Sequence, residues 1–269
     1  MKSFRILILL VPIVSYAQNG ERFLTSCQSM LATNRTVQLS LFPPTRRETF
    51  GLDTLSSPPQ NYHRRALYYL WQHDYEQATD WLEKAAVLYP KAHGSIGETY
   101  LNQLHDYDRA LQHLSAYDAL TPTFDDIIHN NPVSYLLGLA HRNLGDYNKA
   151  VQLFCIGIDS LSIRHGAEWV NYRHFVSRAV SYIALQQPEK ALRDLDSALK
   201  NFNRSALAQY HRGRALVQLN KKAEARTAFQ DASFFFKALR AERKGDYQED
   251  DFNPLYEPEI DEALSNLKP

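Results

Sequence analysis

The chain has ten histidines and thirty acidic residues in 269 positions, ample raw material for a metal site or a proton-transfer site. Their spacing assembles neither. No two histidines share a helix face in the His-Glu-x-x-His manner, and His105, His113, His141 and His211 fall at positions suited to packing or solvation. The run His93-Gly94-Ser95-Ile96-Gly97 has part of a nucleophile elbow. It lacks the first glycine and no strand precedes it, so Gly97 serves better as a small packing residue. Asp125 with Asp126, and Glu257 with Glu259, are near neighbours that nothing sets across a cleft. Phosphate loops, dinucleotide fingerprints and paired zinc cysteines are missing from the sequence. The expectation is a noncatalytic protein without cofactor or metal.

The chemistry that remains is recognition, and the charge balance narrows it. Thirty basic residues cancel thirty acidic ones, so no global positive field would gather nucleic acid. At the N-terminus, Lys2 and Arg5 precede an apolar run from Ile6 to Val14, and small residues at Ser15 and Ala17 suit a signal peptidase. Residues 1–17 therefore read as a secretory leader, and the expected location is periplasmic or extracellular. The run is too short to span a bilayer, so the mature chain is expected to lack an integral membrane segment. Leu24-Thr25-Ser26-Cys27 has the form of a lipoprotein processing site, but polar residues 18–22 separate it from the apolar run. One other cysteine, Cys155, permits a disulfide without arguing for it.

The elements that would position a recognition surface are helices. Phe23, Leu24, Cys27, Met30 and Leu31 recur at helical steps behind Asn19, which predicts an amphipathic helix over 19–33. Pro43, Pro44, Pro58 and Pro59 then break helical continuity, and residues 18–58 form an N-terminal helix plus a Pro/Ser-rich connection. From residue 59 to 237 the chain repeats itself. Asp74-Tyr75, Asp106-Tyr107 and Gly145-Asp146-Tyr147 mark turns between amphipathic segments, preceded by a small residue (Ala66, Gly97, Gly138) and followed by alanine (Ala78, Ala110, Ala150). Looser copies carry Ala179, Pro188 and Ala191, then Gly213 and Ala225. A small residue on one helix lets a second helix approach, while a bulky one a turn away fills the groove beside it. Each pair leaves an apolar face that only a neighbouring pair can cover, and stacking gives a solenoid.

These residues resemble the tetratricopeptide repeat family, whose 34-residue unit carries small residues, Tyr, Ala and Pro at matching places. The resemblance implies an all-α fold, a right-handed α-solenoid of about five antiparallel helix pairs. Successive turns are 32, 40, 41 and 34 residues apart, which places insertions at Thr123–Asn130 and around Ile163–Val170. In that family ligands lie on the concave face lined by the first helix of each pair. Carried onto this chain, the face includes Trp71, Asn102, Tyr135, Arg142, Asn143, Arg173, Tyr210 and Arg214. The resemblance thus implies a scaffold or adaptor that binds a protein or peptide. The alternatives are a docking subunit of an envelope enzyme and a structural component of an envelope assembly. Arginines in place of the family's Lys and Asn clamp speak against capture of a terminal carboxylate.

Residues 238–269 change character. Between Ala241 and Pro269 stand nine acidic and three basic residues, followed within the segment by Ile260, Ala263, Leu264 and Leu267 at helical spacing. The favoured expectation is an acidic, solvated linker leading to a capping helix. The other reading is that the acidic tail lies in a basic groove of its own chain.

Overall fold

A computed structural model describes residues 60–242 and 248–267, all within one compact unit spanning 55–269. The expected leader, the helix over 19–33 and the connection to residue 58 lie outside the described residues, as does Cys27.

Five helix pairs follow in order. They are α1 (Gln60–Trp71) with α2 (Tyr75–Leu88), α3 (His93–Thr99) with α4 (Tyr107–Asp118), and α5 (Val133–Asn143) with α6 (Tyr147–His165). Then come α7 (Tyr172–Ala184) with α8 (Pro188–Asn201), α9 (Ala206–Gln218) with α10 (Lys222–Glu242), and a last helix α11 (Glu257–Asn266). The fold is an all-α solenoid.

Each turn is built from the same two devices. His73, His105, Gly145, Gln186 and Asn220 all adopt a left-handed backbone, which ends the first helix. The next residue donates its N–H back to a carbonyl five positions earlier, as Asp146 does to His141 at 2.9 Å. In the first three turns an aspartate then caps the second helix. Asp74, Asp106 and Asp146 accept from the backbone N–H of Gln77, Arg109 and Lys149, each at 3.1 Å. The second turn differs, because Asp106 donates six positions back, to Tyr100 at 3.0 Å. There α3 widens into a π turn over Tyr100–Leu104, holding one extra residue.

Close approach within pairs rests on the small residues. A Cβ on Gly138 would stand 2.7 Å from the Phe154 ring, and one on Gly213 would stand 2.5 Å from Phe229. Phe154 is fully buried opposite Gly138, and Leu114, also fully buried, stands opposite Gly97 in the same way. The 123–130 insertion leads into a minimal antiparallel ladder, β1 (Ile127–Ile128) with β2 (Asn131–Pro132). Around 163–170 the extra residues lengthen α6 and add a single 3-10 turn, Ala167–Trp169.

The carboxylate neighbours noted in sequence are structural. Asp125 accepts from the Ser134 N–H at 3.0 Å and its hydroxyl at 2.6 Å, capping α5 from the inserted loop. Asp126 accepts from Thr121 at 2.7 Å. Glu257 pairs with Arg240 at 3.1 Å, and Glu259 accepts from the Tyr256 N–H at 2.9 Å at the start of α11. Ser95 lies within α3, which is a helix and not the strand-to-helix turn an elbow requires.

Candidate functional site: a groove holding its own acidic strap

Three of the eight sequence-predicted groove residues converge on one place, and what they hold is residues 248–256 of the same chain. Tyr135 on α5 is buried against Phe154 and His174, with ring centroids 5.4 and 4.1 Å away. Phe252 meets it edge-on at 6.1 Å. The Tyr135 hydroxyl lies 2.9 Å from Ser177 Oγ on α7. Arg142, about two helical turns further along α5, donates to the Phe252 carbonyl oxygen at 2.8 Å and to the Asn253 side-chain oxygen. Asn253 in turn donates to Ser177 Oγ at 2.9 Å and to Asp250 at 2.6 Å. Arg173 at the start of α7 donates to the Glu249 backbone carbonyl.

The Glu249 side chain sits at the N-terminus of α9. It accepts from the Ser205 hydroxyl and from the Leu207 N–H at 3.2 Å. Ser205 is the N-cap of α9 and also accepts from Ala208 N–H at 2.9 Å. A carboxylate here meets unsatisfied N–H groups and the positive end of the helix dipole. Glu249, Asp250, Asn253 and Leu255 are buried, Asp250 to 2% exposure. Asp251, between them, points to solvent.

The expected solvated linker is therefore replaced, over 248–256, by a docked strap. The physical reason is pairing: acidic side chains, once matched by two guanidiniums, a helix N-terminus and hydroxyl donors, no longer require water. Burial still raises both carboxyl pKa values above the ordinary range, because loss of solvation outweighs hydrogen bonds to Glu249 and the nearby guanidiniums of Arg173 and Arg142 at Asp250. His174, beside Tyr135, is lowered to about 4 by burial and by Arg173. It is neutral at pH 7, with Nδ1 3.1 Å from the Asn171 carbonyl oxygen.

The other predicted groove residues do not join this cluster. Trp71 ends α1 with 62% of its surface exposed, and Asn143 is exposed at the end of α5. Asn102 falls in the π turn, where the extra residue breaks the register a uniform repeat assumes, and its Oδ1 is buried without a donor among the described residues. Tyr210 packs against Phe229, 5.6 Å between centroids, within its own pair. Arg214 lies 3.4 Å from His211, whose pKa burial pushes well down. The sequence reading missed Ser177, Ser205 and His174, which are ordinary polar residues in helical pattern. It gave an acidic tail in the groove only as its second reading, and did not single out Glu249, Phe252 and Asn253 as the occupants.

A buried ion pair supports the groove from behind. Arg178 on α7 donates to both Asp194 oxygens on α8, at 2.9 and 2.7 Å, and to Cys155 Sγ on α6 at 3.3 Å. Among the described residues no group of three or more His, Cys, Asp or Glu could hold a metal ion, and no helix is long and apolar enough to cross a membrane.

A stack of antiparallel helix pairs with a lined inner face defines a helical-repeat protein. Family models of the tetratricopeptide repeat match residues 132–155, which span α5 and part of α6, and residues 176–239, from α7 into α10. Solved structures agree at the level of fold. MamA from Desulfovibrio magneticus RS-1 superposes with a TM-score of 0.53 at 18% identity, covering 69% of this chain and 97% of that one. A second MamA crystal structure gives 0.55 at 15% identity, covering 70% and 97%. A tetratricopeptide repeat protein from Parabacteroides merdae ATCC 43184 gives 0.50 at 15%, covering 79% and 72%. No curated protein matches the sequence. Residues 132–155 and 176–239 are tetratricopeptide repeats, set in a chain whose fold is a helical-repeat solenoid.

Proposed function

We propose that the protein is a noncatalytic scaffold that binds a protein or peptide along the face formed by α5, α7 and α9, and that it works outside the cytoplasm. One observation carries the reading of the groove: that face already holds a run of polypeptide, residues 248–256, bent at Glu249 and turned at Asp251–Phe252, which accepts hydrogen bonds from Arg142, Arg173 and Ser205 and donates one to Ser177. Hydrogen bonds to the strap's carbonyl oxygens at Glu249 and Phe252 supply affinity for a docked main chain, and the side-chain contacts supply selectivity. Export is supported by the charge and apolar pattern of residues 1–17.

Crosslinking in the native host, followed by recovery of the partners, tests the groove. Arg142→Glu with Arg173→Glu is expected to remove the principal crosslinked partners while the purified variant keeps its helical circular dichroism. An unchanged partner set from a folded variant refutes the assignment. Fractionation with N-terminal sequencing tests the location. A mature protein beginning at Gln18 in the envelope or medium is expected, and an intact N-terminus in the cytoplasm refutes export.

A further inference from the structure

The strap is more than a cover, because its contacts form a recognition pattern that is open at both ends. Residues 248–256 run through the groove and continue into α11, whose Ile260 is buried and whose Leu264 packs against the apolar core built by α7 to α10. No chain terminus is needed at any contact. What the groove reads is a carboxylate at the α9 N-terminus (Glu249), a second carboxylate beside the guanidiniums (Asp250), an outward spacer (Asp251), an aromatic against Tyr135 (Phe252) and an amide bridging Arg142, Ser177 and Asp250 (Asn253). Every inward position of this run has its own partner.

We infer that the strap is the groove's cis ligand, and that its partner is a separate protein presenting an internal acidic segment that can adopt the same turn and pattern: two carboxylates, a spacer, an aromatic and an amide. This rests on the groove being the protein's binding face. The partner must displace a segment tethered at both ends, by α10 on one side and α11 on the other. Such tethering gives an effective concentration on the order of millimolar or more. A second copy of the chain offers the same contacts without that advantage, so its strap loses the competition. A separate protein wins by adding contacts beyond the strap, and exposed Trp71 on α1 belongs to the first helix of a pair that the strap's hydrogen bonds do not reach.

The experiment uses the full chain and a fluorescent synthetic peptide with the sequence of residues 248–256. Glu249→Lys with Asp250→Lys is designed to repel the strap from Arg142, Arg173 and the α9 N-terminus. This variant is expected to bind the peptide at least about tenfold more tightly than the unaltered chain, which measures the competition removed. Adding Arg142→Ala to it, or using peptides with Phe252→Ala or Asn253→Ala, is expected to lose that binding by about tenfold. A folded strap variant that binds no more tightly than the unaltered chain overturns the inference, as does equal binding of a scrambled peptide. Sedimentation showing concentration-dependent dimers that the peptide dissolves overturns the choice of a separate protein. Should the strap variant fail to fold, native-state hydrogen exchange on the unaltered chain decides. Exchange at Phe252 and Leu255 through an opening smaller than global unfolding supports a displaceable strap, and exchange only with global unfolding overturns it. The two readings fail separately. Partners that depend on Arg142 and Arg173 but are not competed by the peptide sink this inference alone, whereas partners indifferent to both arginines sink the groove itself.

Discussion

Gly138 offers the sharpest test of how the α5 face is held. An added Cβ would come within 2.7 Å of both Phe154 Cδ1 and Cε1, and 3.3 Å from the Ala150 carbonyl oxygen. Phe154 is fully buried and its ring packs against Tyr135 at a tilt of 46°, so relieving the contact requires its neighbours to move. Overpacking of this kind costs about 1–3 kcal/mol. Against it stands a gain of about 1 kcal/mol from replacing a mid-helix glycine by alanine. The net expectation for Gly138→Ala is a loss of about 1–2 kcal/mol, read as a fall in the urea midpoint. Phe154→Leu alone is also destabilising, but in the Gly138→Ala background it removes the clash. The double-mutant cycle should therefore show coupling of at least about 1 kcal/mol, well beyond the ~0.5 kcal/mol scatter of independent sites. Gly145→Ala is the control. Its φ is +85° and nothing lies within 4 Å, so its cost is conformational and Phe154→Leu should leave that cost unchanged. A neutral Gly138→Ala, or a cycle without coupling, refutes the account of close approach.

Three other outcomes are expected. Arg178→Met leaves Asp194 buried without its guanidinium and should cost about 3–5 kcal/mol at pH 7, and less as the pH falls and Asp194, whose pKa burial already raises, takes up a proton. Arg178→Met with Asp194→Leu should recover most of that loss in thermal melts, and no recovery would point away from the unpaired charge. His174 has a folded pKa of about 4 against about 6.5 unfolded, so its contribution is fully present above pH 6.5 and is lost as pH falls toward 4, up to about 3 kcal/mol. Glu249 and Asp250, whose pKa values are raised, act in the opposite direction in acid. The His174 share is accordingly the stability difference between the unaltered chain and His174→Asn, which should shrink on acidification, and a difference constant from pH 7 to 4 excludes it. Gln186→Gly, at a left-handed turn with φ of 56°, should stabilise by up to about 1 kcal/mol in urea unfolding, and a loss would show that the Gln186 side chain contributes more than the strain it carries.

Local physics was legible because it repeats. Small residues opposite bulky ones, aspartates at helix starts and the 32, 40, 41 and 34 residue spacings specify five pairs without any knowledge of what stacks on what. Even the π turn left a trace. Tyr100 and Asp106 are six apart where Tyr69 and Asp74, or His141 and Asp146, are five, and that single extra residue is why Asn102 does not take the place a uniform repeat assigns it.

Occupancy was legible only as the second reading of the acidic tail, because deciding it depends on groups brought together from distant parts of the chain. Arg142 and Asn253 are 111 positions apart, and Arg173 and Glu249 are 76 apart. An acidic segment in isolation reads as solvated, since an unpaired carboxylate belongs in water. Only the fold sets two arginines, a helix N-terminus and two serine hydroxyls at the spacing of one short run, Glu249-Asp250-Asp251-Phe252-Asn253. Sequence alone determined the series of helix pairs, because it follows from short-range periodicity, and the family resemblance offered the groove positions, of which Tyr135, Arg142 and Arg173 meet the strap. The tertiary structure decided that the face is filled and by what, because burying charge becomes favourable only where several partners converge at once.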